Sequence, residues 1–397
     1  MSGAGSTALA RLVADHRVLV CAGSGGVGKT TMAASLAFWG ALQGRRAIVL
    51  TIDPARRLAD SLGVGAIGNT PSVVPAELLG TGAAGTLSAM MLDQRGSWDE
   101  LVARHAPSPE VRDQILANPF YKQLSESFAG SQEYMAVEQL GELEASGDYD
   151  LIVVDTPPTQ HALDFLDAPD KLLAFLDKQI VKWFLPGFAG GWSVFQSMNR
   201  SVRFVLDKIE DATGVGVLSQ ISEFFSGMGE LFDGFEARVE RVTRLLRSPE
   251  TAFVLVAGPD EQVLGQAEYL QARMDEKGMP LKGVVMNRVH RLPGGDAASE
   301  HDPASLPAAL ATVAAAAEMP ADVARSDLVD NLRALREGWR ARARGDALRI
   351  ELFCGSLPEA VPVVVVPNLS RDVHELNGLR SLHEYLFSDA VGAPEGS

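Results

Sequence analysis

The sequence predicts an α/β protein: a doubly wound, mostly parallel sheet of seven or eight strands with an inserted helical subdomain. Three observations carry this. Short apolar runs recur along the chain, and most are continuous Val/Ile/Leu stretches, the pattern of strands covered on both faces. Helical patterns separate many of them, which calls for parallel neighbours joined by right-handed crossovers. Two long stretches, Ser97–Ser146 and Asp170–Pro249, look helical and hold no strand, and they are too long to be crossover loops.

Met1–Thr7 is small and polar and reads as a frayed tail. Arg17–Ala22 is the first strand; a glycine-rich loop follows, and a helix begins near Thr30, with Met32, Ala33, Leu36, Ala37 and Trp39 in helical register. Ala47–Ile52 and Thr86–Leu92 are the next strands, and Tyr149–Asp155 comes after the first helical block. Thr251–Ala257 and Gly283–Arg288 flank a helix over Glu261–Glu276, and Val361–Val366 completes seven candidates. The blocks at about 97–146 and 170–249 form one helical subdomain on an edge of the sheet, inside a single domain that covers 1–397. Arg291–Leu306, rich in Pro, Gly, Asp and Ser, reads as a mobile surface loop, Ala308–Ala317 as an alanine-rich helix and Ala390–Ser397 as a polar tail.

Composition narrows the function classes. The net charge of −16 argues against nucleic acid as a main partner, because phosphate backbones are held by surplus Lys and Arg. A basic run, Arg336–Arg344, reads as a solvated helix face. Two cysteines, Cys21 and Cys354, cannot build a disulfide framework or a structural zinc site. Few cysteines and no signal peptide point to the cytoplasm, and no apolar run approaches the ~18–20 residues of a bilayer span.

The most informative stretch is Ala22-Gly-Ser-Gly-Gly-Val-Gly-Lys-Thr-Thr31. Gly23, Gly28, Lys29 and Thr30 satisfy the G-x-x-x-x-G-K-[ST] phosphate-loop pattern, between a strand and a helix start as that pattern requires. Backbone N–H groups of Gly23, Ser24, Gly25, Gly26, Val27 and Gly28 can converge on a phosphate, and the helix N-terminus adds partial positive charge. Lys29 would reach the β- and γ-phosphates of ATP, Thr30 would ligate Mg²⁺ directly, and Thr31 would complete the cradle. Asp53 ends the second strand in Thr51-Ile-Asp-Pro-Ala-Arg-Arg-Leu58, where a carboxylate could orient or deprotonate the attacking water or hold Mg²⁺ through water. The same residue suits a helix N-cap before Pro54, and both roles can hold together. Asp155 ends the run Asp150-Leu-Ile-Val-Val154, the Walker B arrangement, with its carboxylate beside Mg²⁺ or its water. Thr156-Pro-Pro-Thr-Gln-His161 follows as a segment able to sense the γ-phosphate. Asn287, at the end of the sixth strand, offers the donor and acceptor that match an adenine edge, and Pro367 could flank the base.

These residues resemble the ArsA-like ATPases of the deviant Walker A class, which include the arsenite-pump ATPase and the ATPase that targets tail-anchored membrane proteins. The carrying segments are Gly23–Thr31, Thr51–Ala55, Val154–His161, Val284–Val289 and Val366–Leu376, which together span nearly the whole chain. The chain looks closest to bacterial single-domain members that occur as paired paralogues. The resemblance implies a dimer that sandwiches ATP, with Asp53 acting on the attacking water, Asp155 opening the second switch, Asn287 reading adenine and Pro367 beside it. Three departures matter. The family's second loop lysine, which crosses the dimer interface, is Ser24 here; the metalloid-binding cysteines are missing; and so is the zinc-clamping C-x-x-C. A homodimer would lack the trans lysine at both sites, whereas a lysine-bearing paralogue in a heterodimer would supply one; Arg56 or Arg57 could compensate.

Within the insert, Leu218, Ile221, Phe224, Phe225, Met228, Leu231, Phe232, Phe235 and Val239 form an amphipathic stripe, and Lys182–Phe188 and Trp192–Met198 are aromatic-rich with glycine breaks. Such a stripe either packs the subdomain onto the sheet or receives a hydrophobic client helix or a membrane partner. The leading expectation is therefore a Mg-ATP hydrolase whose dimer opens and closes to drive a chaperone, targeting or transport-associated task, at the membrane periphery if the partner lies there. The alternatives are a weakly active regulatory subunit and a partitioning or positioning ATPase. The acidic charge and the ordinary packed-helix pattern of Asp372–Phe387 speak against the last.

Overall fold

A computed structural model describes residues 2–52, 57–65, 67–80, 84–92, 99–100, 102–104, 106–119, 121–122, 131–157, 167, 237–291, 326–369, 373 and 375–387. Eight strands form one sheet: β1 (Val18–Gly23), β2 (Arg46–Thr51), β3 (Ser72–Val73), β4 (Thr86–Met91), β5 (Leu151–Asp155), β6 (Thr251–Ala257), β7 (Leu281–Val289) and β8 (Val363–Pro367). Their order is β3-β4-β2-β5-β1-β6-β7-β8, parallel throughout except that β3 runs antiparallel to β4. The crossover after β1 leads to β2 on one side and the one after β5 leads to β6 on the other, so the crevice at the C-terminal ends of the adjacent strands β1 and β5 is a topological switch point, where ligands bind in such sheets.

Each central strand alternates its side chains between two apolar layers. Leu19, Val49, Val153, Val254 and Val285 face one layer, built from α1 (Ser2–Asp15), α2 (Lys29–Leu42), α3 (Arg57–Leu62) and α9 (Glu375–Leu386). Val20, Ile48, Val154, Phe253 and Val284 face the other, which takes up Met135 to Leu143 of α6 (Ser131–Ser146), Val239 to Leu246 of a helical stretch at 237–246, α7 (Glu261–Glu276) and Phe353 of α8 (Ser326–Ser356). Two short helices, α4 (Ala76–Leu79) and α5 (Pro109–Ala117), complete the described elements.

Two differences from the sequence reading are physical. The chain start is helical from Ser2, not frayed: the segment lacks proline, contains the strong helix formers Ala4, Ala8 and Ala10, and buries Leu9, Leu12 and Val13. The eighth strand, β3, is a two-residue edge strand too short to carry a periodic pattern. Asp53, His161, the aromatic runs 182–188 and 192–198, the stripe from Leu218 to Phe235, the loop at 292–306, the helix expected at Ala308–Ala317 and the tail at 390–397 lie outside the described residues.

Candidate nucleotide site

β1 ends in Gly23, and the loop Ser24–Gly28 turns directly into α2. At Gly23 an added Cβ would lie 2.0 Å from the backbone oxygen of Val256 on the neighbouring strand, so only glycine lets β1 and β6 approach this closely. Gly28 is the N-cap of α2 in the left-handed region, at φ 94°. It offers no side-chain cap, unlike Ser108, whose hydroxyl accepts from Val111 N at the start of α5. The first N–H groups of α2 therefore keep their donor capacity for a ligand.

Lys29 is buried and its Nζ donates to the backbone oxygen of Ser24 at 2.8 Å, curling back over the loop. The Oγ of Ser24 is itself buried and makes no hydrogen bond. Thr30 Oγ1 donates to Asp155 Oδ2 at 2.7 Å, and Thr51 Oγ1 donates to the same oxygen at 2.9 Å. Asp155 is fully buried beside β1, paired in register with Cys21. The Cys21 thiol is pushed well up, first by burial and then by the Asp155 carboxylate, against a smaller opposing pull from Lys29. It stays a protonated core side chain. Thr156 ties the next segment to β1 by donating its hydroxyl to Cys21 O at 2.8 Å.

Asn287 reaches the loop from the far side. Its Nδ2 donates to Val27 O at 2.7 Å, and its Oδ1 accepts from Arg288 N at 2.9 Å. A Cβ on Gly28 would sit 2.6 Å from that same Nδ2. Both ends of the amide are thus engaged within the protein, so reading a base edge requires it to exchange one of these bonds. Asn287, Pro367, Gly26, Gly28, Lys29, Thr30 and Thr31 all line one cavity of about 440 Å³, closed on its other sides by Arg57, Asp60 and Ser61 of α3, Leu382 of α9 and the stretch Asn368–Leu369. The residues present fit a nucleoside polyphosphate with its divalent cation: a glycine cradle that side chains would fill, uncapped N–H groups, an orphaned hydroxyl, a buried lysine, and a threonine beside a carboxylate.

The profile of the anion-transporting ATPase (ArsA) family matches residues 16–298. The chain belongs to that family. The match takes in the glycine loop, Asp155 and Asn287, and stops short of α8, β8 and α9. The chain is similar to a protein named ATPase GET3 from Malassezia globosa, 27% identical over 279 residues, which are 70% of this chain and 74% of the relative. It is similar to ATPase ASNA1 homolog 1 from Paramecium tetraurelia, 27% identical over 273 residues, 67% of this chain and 73% of the relative. It is also similar to ATPase ARSA1 from Chlamydomonas reinhardtii, 26% identical over 302 residues, 70% of this chain but 35% of the relative. Membership implies ATP binding and points to ATP hydrolysis.

Several features of this ArsA-family site went unread in the sequence. Thr51 shares the Asp155 oxygen with Thr30, and its position at a strand end beside Asp53 was the available signal. Asp60, Ser61 and Leu382 come to the cavity from helices whose facing is a tertiary fact. Among the described residues no helix is long and apolar enough to cross a membrane.

Proposed function

We propose that this chain is a Mg-ATP hydrolase that works as a dimer and couples nucleotide-dependent opening and closing to a chaperone, targeting or transport-associated task. The observation that carries the reading is the hydrogen bond of 2.7 Å from Thr30 to Asp155 at the base of the glycine loop. It puts a hydroxyl ligand and a carboxylate side by side, next to a lysine buried under the loop. Thr30 and Asp155, with Asp53, would hold Mg²⁺, which neutralises phosphate charge and polarises the bond to be broken. Lys29 leaves the Ser24 oxygen for the phosphates, and the uncapped N–H groups of α2 bind the oxygens between them. Asp53 orients the attacking water, Asn287 reads the adenine edge and Pro367 flanks the ring. The relatives named GET3, ASNA1 and ARSA1 are all called ATPases, which supports the same chemistry. The site is cytoplasmic on this reading, and the amphipathic stripe of the insert is the place for a hydrophobic client helix or a membrane partner.

Ser24 favours a second reading, in which this chain turns over slowly alone and a lysine-bearing paralogue completes its site. A cation supplied in trans can be worth about 10³–10⁵ in rate, by analogy with arginine fingers. On this view the chain is one of the family's single-domain paired paralogues. The test is Mg²⁺-dependent ATP hydrolysis by wild type, Ser24→Lys and Asp155→Asn. Low wild-type turnover that Ser24→Lys raises strongly, with Asp155→Asn at background, supports both readings. Robust wild-type turnover that Ser24→Lys leaves unchanged or lowers overturns the need for a paralogue.

A further inference from the structure

The end of β7 is irregular where it meets the cavity. Its pairing with β8 shifts register between Met286 and Val289, so Asn287 and Arg288 stand in a bulge. Arg288 sits in the left-handed region at φ 59°, the sole residue other than glycine with positive φ among the described residues. A non-glycine residue held there persists only where its surroundings enforce it. The bulge presents the Asn287 amide to Val27 of the glycine loop and places Arg288 on the cavity wall.

What enforces it comes from α8, outside the part of the chain that the family profile covers. Asp346 is buried, at 3% exposure, and its Oδ2 accepts from the backbone N–H of His290 at 2.9 Å and lies 2.8 Å from the ring Nδ1 of the same residue. Its Oδ1 accepts from Arg349 Nη2 at 2.6 Å, and Arg349 Nε donates to the oxygen of Pro259 at 2.6 Å, beyond the end of β6. About two turns earlier on α8, Trp339 Nε1 donates to Arg291 O at 2.8 Å while its ring meets His290 edge-on at 5.1 Å. From the sheet side, Asn368 N donates to Val289 O at 2.9 Å. Three consecutive residues, from Val289 to Arg291, are thus held on two sides immediately after the bulge.

We infer that Asp346 is a positioning residue for nucleotide-base recognition: through His290 it holds the β7 bulge in the shape that aims Asn287 and Arg288 into the cavity, with Trp339 as a second clamp. The inference rests on the nucleotide reading of the cavity above. A buried carboxylate that accepts three hydrogen bonds is a rigid anchor, because leaving any of those donors unpaired in the interior is costly. Asn at this position keeps the volume but must turn an NH₂ toward either His290 or Arg349, both of which offer donors. The bulge then loses its fixed end, and a base-reading amide that wanders discriminates adenine from guanine poorly.

The experiment is equilibrium titration of the full chain with fluorescent ATP and GTP analogues, alongside thermal melts. The variants are Asp346→Asn, Trp339→Phe and, as a packing control on the same helix, Phe353→Ala. Asp346→Asn should weaken ATP binding about tenfold and narrow the ATP-to-GTP ratio by a similar factor, as expected when a charge-assisted hydrogen bond is lost. Phe353→Ala should lower the melting temperature at least as much yet keep the wild-type ratio, which separates positioning from mere stability. Should Asp346→Asn fail to fold, Trp339→Phe decides: it keeps the ring on a half-exposed surface and removes one hydrogen bond, and a ratio narrowed by about threefold supports the inference. Wild-type ATP and GTP affinities in Asp346→Asn, or an unchanged ratio in Trp339→Phe where only that variant folds, overturn it while the nucleotide reading stands. A wild-type chain that binds neither nucleotide overturns both.

Discussion

At the scale of single residues, Gly28 is a tight point of the site. Gly28 combines a left-handed backbone with a neighbour, Asn287 Nδ2, only 2.6 Å from where a Cβ would be. Gly28→Ala therefore carries a backbone cost of about 1–2 kcal/mol and also pushes Asn287 off Val27. Its ATP affinity should fall by at least about tenfold in a fluorescent-nucleotide titration, given the energy per decade. Asp155→Asn is the complementary change. The amide keeps an oxygen for Thr30 and Thr51, so the fold and the melting temperature should hold within a few degrees, while Mg²⁺-dependent hydrolysis drops by about a hundredfold or more. A thiol-alkylation assay on native protein should find Cys21 unreactive, because burial keeps it protonated and covered.

At the scale of elements, two buried titratable groups make helix docking depend on pH with opposite signs. Glu138 of α6 is ion-paired with Arg238 of the helical stretch at 237–246. Burial nonetheless pushes its carboxyl from 4.5 up to about 7, with Arg238 pulling the other way. Between those pH values the folded chain holds a proton that the unfolded chain has released, so stability falls as pH rises from 4.5 toward 7. His383 of α9 is packed among Phe38, Trp39 and Phe387, and burial lowers it from 6.5 to about 4, with the Ser35 oxygen opposing and Arg380 assisting. There the unfolded chain holds the extra proton, so stability is lost as pH falls from 6.5 toward 4. Each window is worth on the order of 3–4 kcal/mol, at roughly 1.4 kcal/mol per pK unit. Melting curves at pH 4 to 8 should show Glu138→Gln flattening the decline toward neutral pH and His383→Phe flattening the decline toward acid. A Glu138→Gln profile that parallels wild type would mean that a group other than Glu138 sets that limb, because the substitution removes both its proton and its ion pair with Arg238.

At the scale of the whole molecule, the two-sided winding around β1 brings residues separated by most of the chain to one crevice. Val27 and Asn287 touch, and α9 packs on α2 and α3 to close the cavity with Leu382. ATP on the proposed reading bridges the P-loop and the β7–β8 end, so it ties the first and last thirds of the fold together. Saturating Mg-ATP should therefore raise the melting temperature of Asp155→Asn by several degrees, since a ligand at about 100 times its Kd adds close to 3 kcal/mol. Sedimentation of the same non-hydrolysing variant should shift to the mass of two chains when Mg-ATP is present. A single-chain mass at saturating nucleotide would remove the dimer from the proposal and leave the ATPase site in place.

The sequence by itself determined the sheet and the centre of the site. Seven of eight strands are visible as continuous apolar runs because both faces are buried, and Gly23 to Thr31 declares a phosphate loop because only that order of glycines, lysine and hydroxyl makes an anion cradle on a helix. Asp155 was legible too, as a charge at the end of an apolar run. Only the tertiary structure decided which polar groups meet. That Thr51 shares the Asp155 oxygen with Thr30, that Asn287 spends its amide on Val27, and that Asp346 in the arginine-rich helix α8 is the buried anchor of the β7 bulge depend on contacts across up to 260 residues of chain. Periodicity records which face of an element is apolar; it carries nothing about which partner a buried polar atom finds, because that is set by how whole elements pack.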